Sequence, residues 1–118
     1  MSRKAKLYLN DILVCIKRIE EYTAHLSFEE LSADQKTIDA VIRNFEIISE
    51  AIKNLSPEIT SKYDYEWRSV AGLRDIFIHG YFVMSLKIIW DIVQNEIPEL
   101  ENKVREIVED EGFGVNRD

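Results

Sequence analysis

The segment Arg74-Asp75-Ile76-Phe77-Ile78-His79-Gly80-Tyr81 gathers the chain's most chemically capable side chains at the end of an otherwise apolar stretch. A guanidinium can stabilise charge on an anion, and an imidazole can move protons near neutral pH. At about 100° per residue, Arg74 falls between Val70 and Trp67 on a helical wheel, inside the apolar sector. An unpaired guanidinium there is costly, so something must compensate its charge. Tyr81 would lie within about 20° of Arg74 if the helix continued, whereas His79 is about 140° away and needs a break at Gly80 or a second subunit to converge. Asp75 stands four residues before His79. That spacing lets its carboxylate accept from one imidazole nitrogen, fix the tautomer and raise the imidazole's pKa toward a useful acid/base range.

The elements that must position this segment read as helices. From about 4 to 26, Leu9, Ile12, Ile16, Ile19, Thr23 and Leu26 recur three or four apart with Lys and Glu between them, the spacing of one buried stripe. Ser27 and Glu30 have capping-box spacing, and Ser32 and Asp34 can satisfy the free N–H groups of a following helix, so a short helical turn or loop is expected here. From about 34 to 55 the stripe is Ile38, Val41, Phe45, Ile48, Ile52 and Leu55. Ser56-Pro57-Glu58 closes it, and 59–66 reads as an irregular or single-turn linker. A third helix is expected from Trp67 to about 79, with Trp67, Val70, Leu73 and Phe77 on one face and Gly80 as its break. The chain restarts near Ser85, and Leu86, Trp90, Val93, Ile97, Leu100, Val104 and Ile107 continue the spacing, with a kink expected at Pro98. Packing these stripes together most simply gives an all-α antiparallel four-helix bundle with an extra short helix or turn. Residues 1–110 form one domain and 111–118 a frayed tail.

Composition agrees. The 118 residues are 46% hydrophobic and 31% charged, with 4 Gly and 2 Pro, which argues against a turn-rich β fold and against disorder. A net charge of -7 disfavours a broad electrostatic grip on nucleic acid, so any such contact must be local. One Cys excludes an intrachain disulfide, and with 2 His it cannot build a zinc site of the usual Cys/His types; no cofactor is expected. No apolar run approaches the roughly 18 residues of a membrane span, and MSRKAKLYLND lacks the apolar stretch of a signal peptide. A cytoplasmic chain with no membrane partner is the expectation.

On the pattern R-DIFI-H-G-Y the chain resembles the HepT-like toxins of the HEPN superfamily, whose signature is Arg, four to six residues, His, one residue, then Tyr. The likeness also runs through YLNDIL, AVIRNFEIISEA, EWRSVAGLRD, HGYF and IIWDIV, covering roughly residues 7 to 100. Ser49 stands where the family often has Gly, and Asp75 where it often has Asn. The resemblance implies a homodimer with the motif facing a cleft between protomers. It also implies a metal-independent endoribonuclease, the toxin of a toxin–antitoxin pair, leaving a 2′,3′-cyclic phosphate. Attack of the 2′-hydroxyl on phosphorus needs a proton-moving group and a cation, roles that fall to His79 and Arg74, with Asp75 supporting His79. Tyr81 is implied as the acceptor of AMP from a minimal nucleotidyltransferase antitoxin, placing phosphates where the RNA phosphate would sit.

Other residues have plainer readings. His25 reads as a favourable charge at a helix C-terminus, Cys15 as a packed thiol, and Trp67 and Trp90 as core residues. Tyr63, Tyr65 and Trp67 could stack bases but more often pack a helix start. Lys4, Lys6, Lys17, Arg18, Arg43 and Arg68 could widen a phosphate-binding surface, giving weak, salt-dependent RNA binding. A rival reading makes the bundle a non-catalytic module that docks a nucleotidyltransferase or holds a nucleotide, with Arg74 and Tyr81 as contacts. Such a module would tolerate His79→Gln.

Overall fold

The computed structural model describes residues 3–73 and 86–112, and these form an all-α bundle with no strand among them. Helix α1 spans Arg3–Thr23 and turns Ala5, Leu9, Ile12, Ile16 and Ile19 inward, all nearly or fully buried. It ends before Leu26. The buried Thr23 hydroxyl donates to the Ile19 carbonyl at 2.8 Å, and the Leu26 N–H closes a turn onto the Thr23 carbonyl at 3.0 Å, so the chain leaves the helical path there.

Helix α2, Phe28–Ser32, has the expected capping box: the Glu30 N–H donates to Ser27 Oγ at 3.1 Å, and the Ser27 N–H donates to Glu30 Oε1 at 2.9 Å. Asp34 then caps α3, Gln35–Lys53, accepting from the Thr37 N–H at 3.1 Å and the Thr37 hydroxyl at 2.7 Å. Those hydrogen bonds hold the Asp34 carboxyl below the usual carboxylate range. Every member of the expected second stripe, from Ile38 to Leu55, is buried, and Phe45 and Ile48 are wholly enclosed.

The expected linker starts earlier and is more regular. Pro57 opens α4, Pro57–Lys62, because its fixed φ suits the first helical position and its missing N–H is not needed there. Helix α5, Trp67–Ala71, is capped by Gly72, and the buried Leu73 beyond it is again helical; the rest of the third helix that the periodicity predicts, residues 74–79, lies outside the described residues. Residues 86–91 are the described part of α6, which runs through a π-helical turn at Ile92–Glu96 into α7, Ile97–Asp110. The expected irregularity at Pro98 takes this form: the Ile97 N–H reaches back to the Ile92 carbonyl, and the widened turn leaves Pro98 in the opening positions of α7, where no N–H is required. Gly112, at φ 80°, ends the described chain in the left-handed region that favours glycine; residues 113–118 of the expected tail lie outside the described residues.

Helix α1 packs on α3 and on α7, while α3 also carries α5 and α2. One continuous core joins them, from Leu9 and Ile16 through Phe45 and Ile48 to Ile89, Leu100 and Ile107. Each fully buried aliphatic or aromatic side chain of this kind contributes roughly 1.5–3 kcal/mol relative to exposure. No helix among the described residues is long and apolar enough to cross a membrane.

Candidate functional site

The residues singled out by the sequence, Arg74, Asp75, His79 and Tyr81, together with Phe77, the Gly80 break and Ser85, lie outside the described residues. The structure does describe the helices that lead into and out of them. On the approach, Trp67 Nε1 donates to the Tyr63 carbonyl at 3.0 Å and so fixes the start of α5. The Trp67 ring lies against Tyr65, centroids 5.0 Å apart. Ser49 on α3 is fully buried, and its hydroxyl donates to the Val70 carbonyl at 2.9 Å. This bond ties the last turn of α5 to the core four residues before Arg74. Gly72 follows closely on the helix: a Cβ there would meet the Arg68 carbonyl oxygen at 3.3 Å. On the exit, Ile89 is fully buried in α6, and Trp90 meets Phe28 edge-on, centroids 5.9 Å apart with an interplanar angle of 74°. Both ends of the motif-bearing stretch are therefore anchored to one core.

The tyrosines near α5 pack against the helix start and the C-terminal end of α7. Tyr63 is buried, and its hydroxyl donates to the Glu111 carboxylate, which also accepts from Lys62 Nζ at 2.7 Å. Burial and this carboxylate push the Tyr63 phenol above its ordinary value, while the paired cation and phenol hold Glu111 below the usual carboxylate range. The Tyr65 hydroxyl is enclosed without a partner among the described residues; burial first, then Glu96 and Glu99, push it up to about 12. Tyr63 is thus enclosed, while Tyr65 is half-buried with Trp67 against its ring.

Cys15 is 2% exposed and burial pushes its thiol up, as a packed and unreactive thiol requires. His25 is exposed just past the end of α1. Of the cations expected to widen a phosphate surface, Lys4, Lys17, Arg18, Arg43 and Arg68 are exposed and Lys6 is half-buried. Arg43 pairs with Glu46 at 3.5 Å. It lines a groove of about 380 Å³ between α1 and α3 in which Asp11, Glu46 and Glu50 outnumber it, so this groove repels a phosphate.

Two features have no clear signal in the sequence. Glu20 on α1 and Glu101 on α7 share a hydrogen bond, with Arg105 donating to Glu101 from Nε at 3.1 Å and Nη2 at 2.9 Å. Burial, then this bond and the Glu101 charge, raise the Glu20 carboxyl to about 7, while Glu101 is held down by the Glu20 proton and by Arg105. The Ser49 tie is the second feature; its only hint is a small polar residue inside an apolar helical face.

The family described as Ribonuclease HepT-like matches residues 12–107, a span that contains the motif. The chain belongs to the HepT-like ribonuclease family. This HepT-like chain is 41% identical over 110 residues to a protein of Methanocaldococcus jannaschii named as a candidate RNase, covering 92% of this chain and 91% of the relative. It is 40% identical over 108 residues to a protein of Thermococcus cleftensis named a probable ribonuclease HepT, covering 91% and 98%. A second Methanocaldococcus jannaschii protein, named both a gamma-glutamylcyclotransferase and a candidate RNase, is 41% identical over 111 residues; the match spans 93% of this chain and 50% of that one. No solved structure matches the chain.

Proposed function

We propose that this HepT-like chain is an endoribonuclease that works without a metal ion, the toxin of a toxin–antitoxin pair, with its chemistry in the segment 74–81. The observation that carries this reading is the family match over residues 12–107, which contains Arg74 and His79 at the signature spacing. In the proposed reaction the RNA 2′-oxygen bonds to the adjacent phosphorus and the bond from phosphorus to the 5′-oxygen breaks. His79 moves the proton from the 2′-hydroxyl toward the departing 5′-oxygen, and the products are a 2′,3′-cyclic phosphate and a 5′-hydroxyl. Arg74 stabilises the charge that builds on the phosphoryl oxygens, and Asp75 orients and tunes His79. Two copies of the chain pair with their motifs facing a shared cleft.

Tyr81 carries the regulation. Its phenolate oxygen attacks the α-phosphorus of ATP on a partner nucleotidyltransferase, pyrophosphate leaves, and the AMP group placed beside Arg74 and His79 occupies the site of the RNA phosphate. The anchoring of α5 and α6 on one core supports this assignment, because such chemistry needs its groups held on rigid elements.

The test is cleavage of a mixed cellular RNA pool by purified protein in the presence of a metal chelator. Wild type and Tyr81→Phe are expected to cleave, and His79→Ala is expected to be inactive while keeping its helical circular dichroism. No cleavage by unmodified wild type would overturn the proposal in favour of a docking module.

A further inference from the structure

Helix α7 stops in a defined way. The N–H of its cap residue, Glu111, donates to the Ile107 carbonyl at 2.9 Å, and Gly112 follows at φ 80° with its own N–H donating to the Glu109 carbonyl at 3.1 Å. A left-handed glycine whose N–H reaches back in this way forms the first half of a Schellman motif. The second half belongs to the next residue, whose N–H reaches the carbonyl five positions back and whose side chain, where apolar, packs on the side chain at that same position. In this chain the next residue is Phe113 and the position five back is Val108.

Val108 is half-buried and lines, with Lys6, Leu7, Asn10 and Leu13, an apolar groove of about 200 Å³ between α1 and α7. Among the described residues Leu7, at 55%, is the most exposed large apolar side chain. An apolar cavity of ~150 Å³ accepts a benzene ring, so the groove has room for one aromatic side chain. The length of chain between groove and occupant decides which one enters. Phe113 stands directly after the turn at Gly112, so docking it closes almost no loop, whereas a side chain from another molecule would give up its translational and rotational freedom. We propose that Phe113 turns back over Gly112 and seats its ring in the groove between α1 and α7, against Val108, Leu13 and Leu7. The ring straps the end of α7 to the first turns of α1, and the tail that the sequence alone reads as frayed gains an anchor at this residue. The contact uses no residue of the motif and does not rest on the ribonuclease reading.

Nuclear magnetic resonance of the full chain with labelled leucine and valine methyls tests this. Contacts are expected between the Phe113 ring protons and the methyls of Leu7, Leu13 and Val108, with upfield ring-current shifts of those methyls that Phe113→Ala removes. Both signals should persist unchanged on dilution, because the ring and the groove belong to one molecule. A Cβ at Gly112 would meet nothing within 4 Å, so Gly112→Ala strains only the left-handed backbone; it is expected to weaken docking about tenfold. Gly112→Asn, whose side chain tolerates that conformation, should keep most of the ring contacts. Each variant is checked for unchanged helical circular dichroism. Methyl shifts in Phe113→Ala that superimpose on wild type would overturn the proposal. So would contacts that fade on dilution, which would mean that a second copy supplies the ring, or contacts as strong in Gly112→Ala as in wild type, which would remove the turn from the account.

Discussion

Replacing Ser49 by Ala tests the reasoning that the approach to the motif is held by a buried hydrogen bond. The Ser49 hydroxyl is wholly enclosed and donates to the Val70 carbonyl at 2.9 Å, across from α3 to the last turn of α5. Alanine removes the donor and one heavy atom while keeping the Cβ and the helical preference of α3. Losing a buried hydrogen bond costs about 1 kcal/mol where the carbonyl keeps another partner, and about 1–3 kcal/mol where it is stranded. For a domain of this size that corresponds to a melting temperature lower by roughly 3–12 °C. The local effect should exceed the global one. Amide hydrogen exchange in Trp67–Leu73 is expected to accelerate more than exchange in α1 or α7, because the tie holds α5 specifically. A variant within about 0.3 kcal/mol of wild type, with unchanged exchange in α5, would refute the argument. A destabilisation spread evenly over all helices would refute its local part.

Two further outcomes follow from the ionisable and nucleophilic groups. Glu20 holds its proton to about 7 in the folded chain against 4.5 for the ordinary side chain, so its stabilising contribution is complete below 4.5 and is lost as pH rises through about 7. The melting-temperature difference between wild type and Glu20→Gln should therefore move in favour of the variant between pH 5 and pH 8; a difference independent of pH in that window would contradict the shared proton between α1 and α7. Cys15, buried with its thiol pushed up, is expected to react with an aromatic disulfide reagent at least ~100-fold more slowly in the native state than in denaturant, followed by absorbance. Equal rates would show that α1 opens readily.

The long helices were legible because their apolar residues report burial directly: Ile38, Val41, Phe45, Ile48, Ile52 and Leu55 are all inside, as are Val93, Ile97, Leu100, Val104 and Ile107. So were the caps at Ser27 and Asp34, whose chemistry is local to three residues. The short elements were harder. Pro57 read as the end of one helix is also the start of the next, because the geometry that forbids helix before proline favours it after. The π turn before Pro98 could be expected only as a kink, since periodicity does not say how a ladder absorbs a missing donor. Long-range polar ties were invisible: Ser49 to Val70, Glu20 to Glu101 and Glu111 to Tyr63 join residues far apart in the chain, and no spacing rule connects them. The motif itself was read from residue type, spacing and the family resemblance, and Arg74, Asp75, His79 and Tyr81 lie outside the described residues.

The most direct test of the central claim is the end chemistry of a defined RNA oligonucleotide incubated with the protein and a metal chelator. The account predicts a fragment ending in a 2′,3′-cyclic phosphate and another beginning with a 5′-hydroxyl, both absent with Arg74→Ala and with His79→Ala. Cleavage that persists in the folded His79→Ala variant, or ends carrying a 5′-phosphate, would contradict it.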